Sequence, residues 1–169
     1  MTTYIALLRA VNVGGTGKLP MAELRAMCEA AGFSDVRTYI ASGNVVLRSQ
    51  LSAQRVQAAL EDRLRAYAGK PVGVIVRTDA DLRRALEANP FKQAAPNRAV
   101  LIFLDAAPPA DALAAAKHRN GEEIALGERE IYVHYGDGMA DSKLTIPAAK
   151  AGTARNLNTV AKLIEMAGA

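Results

Sequence analysis

From Thr3 to Ala10 the chain is apolar on both faces of an extended backbone, and Asn12-Val13-Gly14-Gly15-Thr16-Gly17-Lys18 then cuts the run off. A strand of that kind needs cover on both sides, so it belongs in the middle of a sheet. Three glycines within four residues can continue neither a strand nor a helix. The fold must therefore open with a central strand, a sharp turn and a new element. Pro20 suits the first turn of a helix. Leu24, Met27, Cys28 and Ala31 recur at helical spacing and give that helix its inner face. Gly32 stands where the helix should end.

The remaining elements follow from the same periodicities. Val36 to Ala41 and Val45 to Ser49 read as strands joined at Ser42-Gly43-Asn44, a hairpin turn signal. A helix capped by Ser52 turns Val56, Leu60, Leu64 and Tyr67 inward. Val72 to Arg77 is a fourth strand, so the order is βαββαβ, that of a ferredoxin-like half. Next come a Thr78-capped helix over Asp79 to Ala88, a loop from Asn89 to Asn97 and a buried strand from Arg98 to Asp105. Pro109 to Arg119 reads as a helix. Glu122 to Leu126 and Glu130 to Tyr135 form a hairpin around Gly127. Ala154 to Met166 reads as a terminal helix with Leu157, Val160, Ala161 and Ile164 inward. The expected class is α+β, with two packed ferredoxin-like halves, residues 1–77 and 78–169. The second half runs αβαββα and lacks a closing strand.

Composition narrows the function classes. The longest apolar runs, such as Ala99 to Leu104, are far too short to span a bilayer. The N-terminus has no basic segment, and Arg9 interrupts its apolar stretch, so a cytoplasmic protein without a signal peptide or membrane association is expected. A single cysteine, Cys28, excludes an internal disulfide and a cysteine-based zinc site. Cys28 lies on an apolar helix face and reads as an inert core thiol. His118 and His134 have no H-x-x-x-H or H-x-H partner, and Asp137 and Asp141 do not match an EF-hand spacing, so no metal and no cofactor is expected. Ser142-Lys143 reads as part of a turn. RNA-recognition domains share the βαββαβ order but stack bases on sheet aromatics. Here Val45-Val46-Leu47-Arg48 has no aromatic and the first strand offers only Tyr4, so sequence-specific nucleic acid is not expected. The net charge of +4 leaves backbone-only contact open.

The glycine-rich turn invites comparison with G-x-x-x-x-G-K-[ST]. Gly17-Lys18 fits its end, but Asn12 fills the first glycine position and Leu19 the hydroxyl position, so Mg²⁺ has no side chain to hold it in the usual way. The dinucleotide pattern fails too, because Pro20 stands at its last glycine. A weaker property survives. Gly14, Gly15 and Gly17 let successive N–H groups line a concave nest, and the following helix start, with Leu19 as a poor N-cap, leaves further N–H groups for an anion. Lys18 places a cation where the helix dipole opposes it unless something negative sits there. Thr153-Ala154-Arg155-Asn156-Leu157-Asn158-Thr159 repeats the conflict, with Arg155 in the first turn of the last helix. The alternatives are a solvated turn at Lys18 and an Arg155 tied to a carboxylate elsewhere.

Five segments in this order resemble one bacterial family, domain of unknown function 1697. They are Leu8 to Gly15, Lys18 to Arg25, Ser42 to Val46, Ser142 to Thr145, and Thr153 to Val160. The family label implies no activity, cofactor or catalytic residue. The family pattern R-G-I-N-V-G-G is changed here by Ala10 and Val11, and R-N-W-N-T-V by Leu157 in place of tryptophan.

The sequence leads first to binding of a phosphate-bearing or other anionic small molecule. The candidate residues are Arg9, Asn12, Gly14, Gly15, Gly17, Lys18, Asn44, Lys143, Arg155 and Asn156. This reading requires that the Lys18 and Arg155 helix starts share a cleft. A second reading is an acylphosphatase-like hydrolase using Arg9 and Asn44, a positional analogy only. A third is a protein-interaction module without a small ligand.

Overall fold

A computed structural model gives the fold and describes residues 1–12, 18–136 and 141–168. The chain divides into two compact units, residues 1–82 with 163–169, and residues 83–162.

The first unit holds β1 (Thr2–Leu8), α1 (Met21–Ala30), β2 (Ser34–Tyr39), β3 (Asn44–Ser49), α2 (Ala53–Ala68) and β4 (Val74–Thr78). Its antiparallel sheet has the order β2-β3-β1-β4. The apolar opening strand is therefore central, as its two-faced burial requires. Tyr4, Ala6 and Leu8 of β1, with Val45 and Leu47 of β3, meet Leu24 and Cys28 of α1 and Val56, Leu60 and Leu64 of α2 in one cluster. The alternate side chains Ile5, Leu7, Val46 and Ile75 are buried as well, and so is Arg77. Burial pushes the Cys28 thiol up to about 12, which keeps it protonated and inert.

The element ends follow local chemistry. The Ser52 hydroxyl caps α2 by accepting the Arg55 N–H, and Gly69 ends it in a left-handed conformation. The N-cap of α1 is Pro20 rather than Leu19, and no side chain caps it. Tyr67 departs from expectation. It continues the stripe of Val56, Leu60 and Leu64 but is 47% exposed. The turn before β3 needs its glycine. Gly43 has φ +89, and a Cβ there would lie 2.7 Å from Val11 Cγ2 and 2.9 Å from Leu8 Cβ.

Continuing along the chain are α3 (Asp79–Glu87), β5 (Ala99–Phe103), β6 (Glu123–Leu126), β7 (Glu130–His134), β8 (Thr153–Asn156) and α4 (Leu157–Ala167). Thr78 caps α3 by accepting the Asp81 N–H. The second antiparallel sheet has the order β6-β7-β5-β8. Numbered within each half, both sheets run second, third, first, fourth. The protein is thus α+β, with two four-stranded antiparallel sheets.

Three expectations about the second half need correcting. Pro109 to Arg119 is not a helix. It is a run of turns that ends where Lys117 exchanges backbone hydrogen bonds with Thr145. A closing strand exists, because the backbone of Thr153–Asn156 pairs with Val100–Phe103. The terminal helix therefore starts at Leu157, and Leu163, not Ala161, joins Leu157 and Val160 among its buried residues.

Candidate functional site

The register of the first sheet builds a cleft at the end of β1. Leu8 faces Val74, so the chain entering β4 lies beside the chain leaving β1. The Arg9 N–H donates to the Gly73 carbonyl at 2.9 Å. Arg9, Ala10 and Val11, then Lys18 and Leu19, the last turn of α2, and Lys70 to Gly73 surround a cleft of about 530 Å³. That size suits a small molecule. Arg9, Lys18 and Lys70 place three cationic side chains in the wall. Among the described residues, no carboxylate lines it. A neighbouring groove of about 450 Å³ shares Arg9 but adds Glu61 and Asp62, and so lacks that one-sided charge. Glu61 is committed in part to the sheet edge. Its Oε2 accepts the Val74 N–H at 3.1 Å, while Gln57 Nε2 donates to the Val74 carbonyl.

Asn12 holds the neck of the glycine-rich turn. Its Nδ2 donates to the Leu19 carbonyl (2.9 Å) and to the Ala41 carbonyl (2.8 Å), and its Oδ1 accepts the Leu19 N–H (2.6 Å). One side chain thus ties together the two ends of the turn and the β2–β3 connection. Ala10 and Asn12 both have positive φ, +53 and +56. Asparagine tolerates that conformation, but alanine does so at a cost of about 1–2 kcal/mol. The glycine of the resembled pattern at position 10 has a backbone reason. Gly14, Gly15 and Gly17, and the nest expected from them, lie outside the described residues.

The other candidates fall elsewhere. Asn44 is fully buried at the first position of β3, where its Nδ2 donates to the Tyr39 carbonyl and Ser42 Oγ. Arg155 is not in a helix turn and is not among the residues lining the Arg9, Lys18 and Lys70 cleft, so the pairing of Lys18 with Arg155 expected from sequence drops out of the site. It sits in β8, 6% exposed, and donates to Thr153 Oγ1 and the Ala154 carbonyl. Burial pushes its guanidinium down to about 10. Asn156 is the true cap of α4, accepting the Thr159 N–H at 2.9 Å. Leu157 is buried, so the position that holds tryptophan in the resembled pattern packs inward here.

Lys143 lines a cleft of about 650 Å³ in the second unit, with His118, Glu122, Tyr135 and Ser142. Ser142 Oγ donates to Glu122 Oε2 at 2.5 Å and accepts the Leu144 N–H, so it serves a turn. The Ser142 hydroxyl, followed by the Asn120 N–H, holds the Glu122 carboxyl below the usual glutamate range. Asp137 lies outside the described residues.

Sequence reading missed Lys70 and the exposure of Tyr67. The signal was present in the element order. In βαββαβ, β4 runs antiparallel beside β1, which brings the turn before β4 to the end of β1. Among the described residues, no group of His, Cys, Asp and Glu is placed to hold a metal, and no helix is long and apolar enough to cross a membrane.

Comparison with known proteins agrees with this architecture. The conserved bacterial protein SP0830 from Streptococcus pneumoniae has a similar structure, with TM-score 0.80 and 25% identity over 98% of each chain. No curated protein matches the chain. The model of the family described as "Protein of unknown function (DUF1697)" matches residues 1–132. That span includes the segments around Arg9, Lys18 and Gly43, while those around Ser142 and Arg155 lie beyond it. The chain therefore belongs to the DUF1697 family of proteins of unknown function.

Proposed function

We propose that the protein binds a phosphate-bearing or other anionic small molecule in the cleft at the end of β1. One observation carries the reading. Arg9, Lys18 and Lys70 come from three separate parts of the chain, yet line one cleft with no carboxylate among its described lining residues. The last turn of α2 contributes Leu64, Tyr67 and Ala68 to the same wall, and its carbonyls oppose an anion. That opposition amounts to about half a charge, against three full cations. The start of α1, two residues beyond Lys18 at its Pro20 N-cap, has no side-chain cap, and a helix start favours an anion. We place this binding in the cytoplasm, where phosphorylated metabolites abound.

The test is calorimetric titration of inorganic phosphate and pyrophosphate into the wild type, Lys18→Ala and Lys70→Ala. Both lysines are exposed, so the variants keep the core intact. A charge-assisted contact contributes about 1.5–3 kcal/mol, so each substitution is expected to weaken binding roughly 10- to 100-fold. Wild-type affinity should also fall with added salt. Absence of binding by the wild type at millimolar phosphate and pyrophosphate refutes the reading.

A further inference from the structure

The anion cleft has a second chemical character. Its cations stand in a wall that is otherwise apolar, formed by Val11, Leu19, Leu64, Pro71 and Val72 with the ring of Tyr67. Tyr67 is the informative member. It follows Val56, Leu60 and Leu64 along the inward stripe of α2, yet 47% of it is exposed. Helical spacing directs the ring toward the sheet side of α2. The three residues before it reach the core, whereas the last turn, which carries the ring, borders the cleft. An aromatic residue thus lines the same cavity as Arg9, Lys18 and Lys70.

A bare phosphate or other small inorganic anion uses the cations and leaves this apolar surface wet. A ligand with an anionic head and a flat apolar or aromatic body uses both. Resting on the anion-binding reading above, we infer that the ligand is such an amphiphilic anion. Its charged group meets Arg9, Lys18 and Lys70, and its ring stacks on Tyr67.

Inorganic phosphate and phenyl phosphate separate the two claims. Both are titrated calorimetrically into the wild type, Tyr67→Ala and Tyr67→Phe, with circular dichroism to confirm folding. Phenyl phosphate is expected to bind the wild type roughly tenfold tighter than phosphate, the gain one aromatic contact supplies. Tyr67→Ala should bring the ratio of phenyl phosphate to phosphate affinity close to one, while Tyr67→Phe should keep it near roughly ten. Equal affinity for the two probes in the wild type, or a gain that survives in Tyr67→Ala, overturns the amphiphilic assignment and leaves anion binding standing. Failure of both probes to bind the wild type overturns both.

Discussion

The two sheets share one strand order and differ in what connects their strands. In the first unit, α1 and α2 supply 10 and 16 helical residues, and their apolar faces fill one cluster with the sheet. In the second, the described residues of the corresponding connections form a run of turns after β5 and include the five-residue 3₁₀ segment Pro147–Ala151 before β8. Strand order therefore does not depend on the crossover helices. The central apolar strands β1 and β5 each collect two antiparallel neighbours, and the hairpins β2–β3 and β6–β7 set the rest. The turn run after β5 also shows why alanine-rich sequence is not enough for a helix. Ala110 to Ala116 has high helix propensity, but only Ala112 is buried in it, and Leu113 is 41% exposed. A short helix needs a large apolar face to survive. Without one, the Lys117–Thr145 bridge takes the chain instead.

The clefts differ in the same way. The first-unit cleft has only cations among its charged described lining residues. The second-unit cleft contains the Glu122 carboxylate, already occupied by Ser142.

Four tests, using six substitutions, sharpen this comparison. The largest contrast is between Leu60→Ala in α2 and Leu113→Ala in the turn run. The first removes a fully buried side chain and should destabilise by about 2–5 kcal/mol, the second by less than about 0.5, both read from chemical denaturation. Similar losses would mean that the turn run supports its sheet as a helix does.

Glycine contacts come next. Gly43→Ala adds a Cβ against Val11 and Leu8 at φ +89, so left-handed strain of about 1–2 kcal/mol joins crowding of about 1–3. Gly152→Ala, at φ −101, adds no left-handed strain. Its Cβ would lie 2.5 Å from the Phe103 carbonyl oxygen, a backbone atom, and 2.7 Å from Leu104 Cδ2, so its whole cost is crowding, at least as severe as at Gly43. A costlier Gly152→Ala would show that the second sheet tolerates less movement.

Ala10→Gly should act in the opposite direction. It relieves the strain at φ +53 and concedes some unfolded-state entropy, for a net gain of about 0.5–1 kcal/mol in melting experiments. A loss would mean that the alanine methyl contributes packing.

The smallest effect is a pH slope in the second unit. The folded-state pKa of Glu122 is depressed, first by Ser142. The stability it contributes is fully present above the ordinary glutamate value of 4.5 and is lost as pH falls below it toward the folded value. Ser142→Ala should make stability fall less steeply on that acid side. An unchanged slope would assign the dependence to another carboxylate.

Much of this architecture was legible along the chain. The run Thr3 to Ala10 and the turn at Gly43 are enough to place a central strand and a hairpin, and Ser52, Thr78 and Gly32 marked element ends where they occur. The candidate site was half legible. Arg9 and Lys18 stood out because their chemistry conflicts with a strand end and a helix start. Lys70 did not, since a lysine after a helix cap is unremarkable locally, and only the pairing of Leu8 with Val74 brings it to the cleft. Arg155 misled because its neighbours look like a helix start. Four residues pair with β5 before the helix begins, and strand pairing depends on a partner 50 or more positions away.

By itself, then, the sequence determined the element types of the first half, the centrality of β1 and the membership of the chain in its family. Periodicity and capping act over a few residues, so they can be read in place. Tertiary structure alone decided that β8 closes the second sheet, that Tyr67 leaves the core, and that Lys70 joins Arg9 and Lys18. Each of those depends on which distant surface covers a side chain or accepts a backbone hydrogen bond, and no local pattern carries that information.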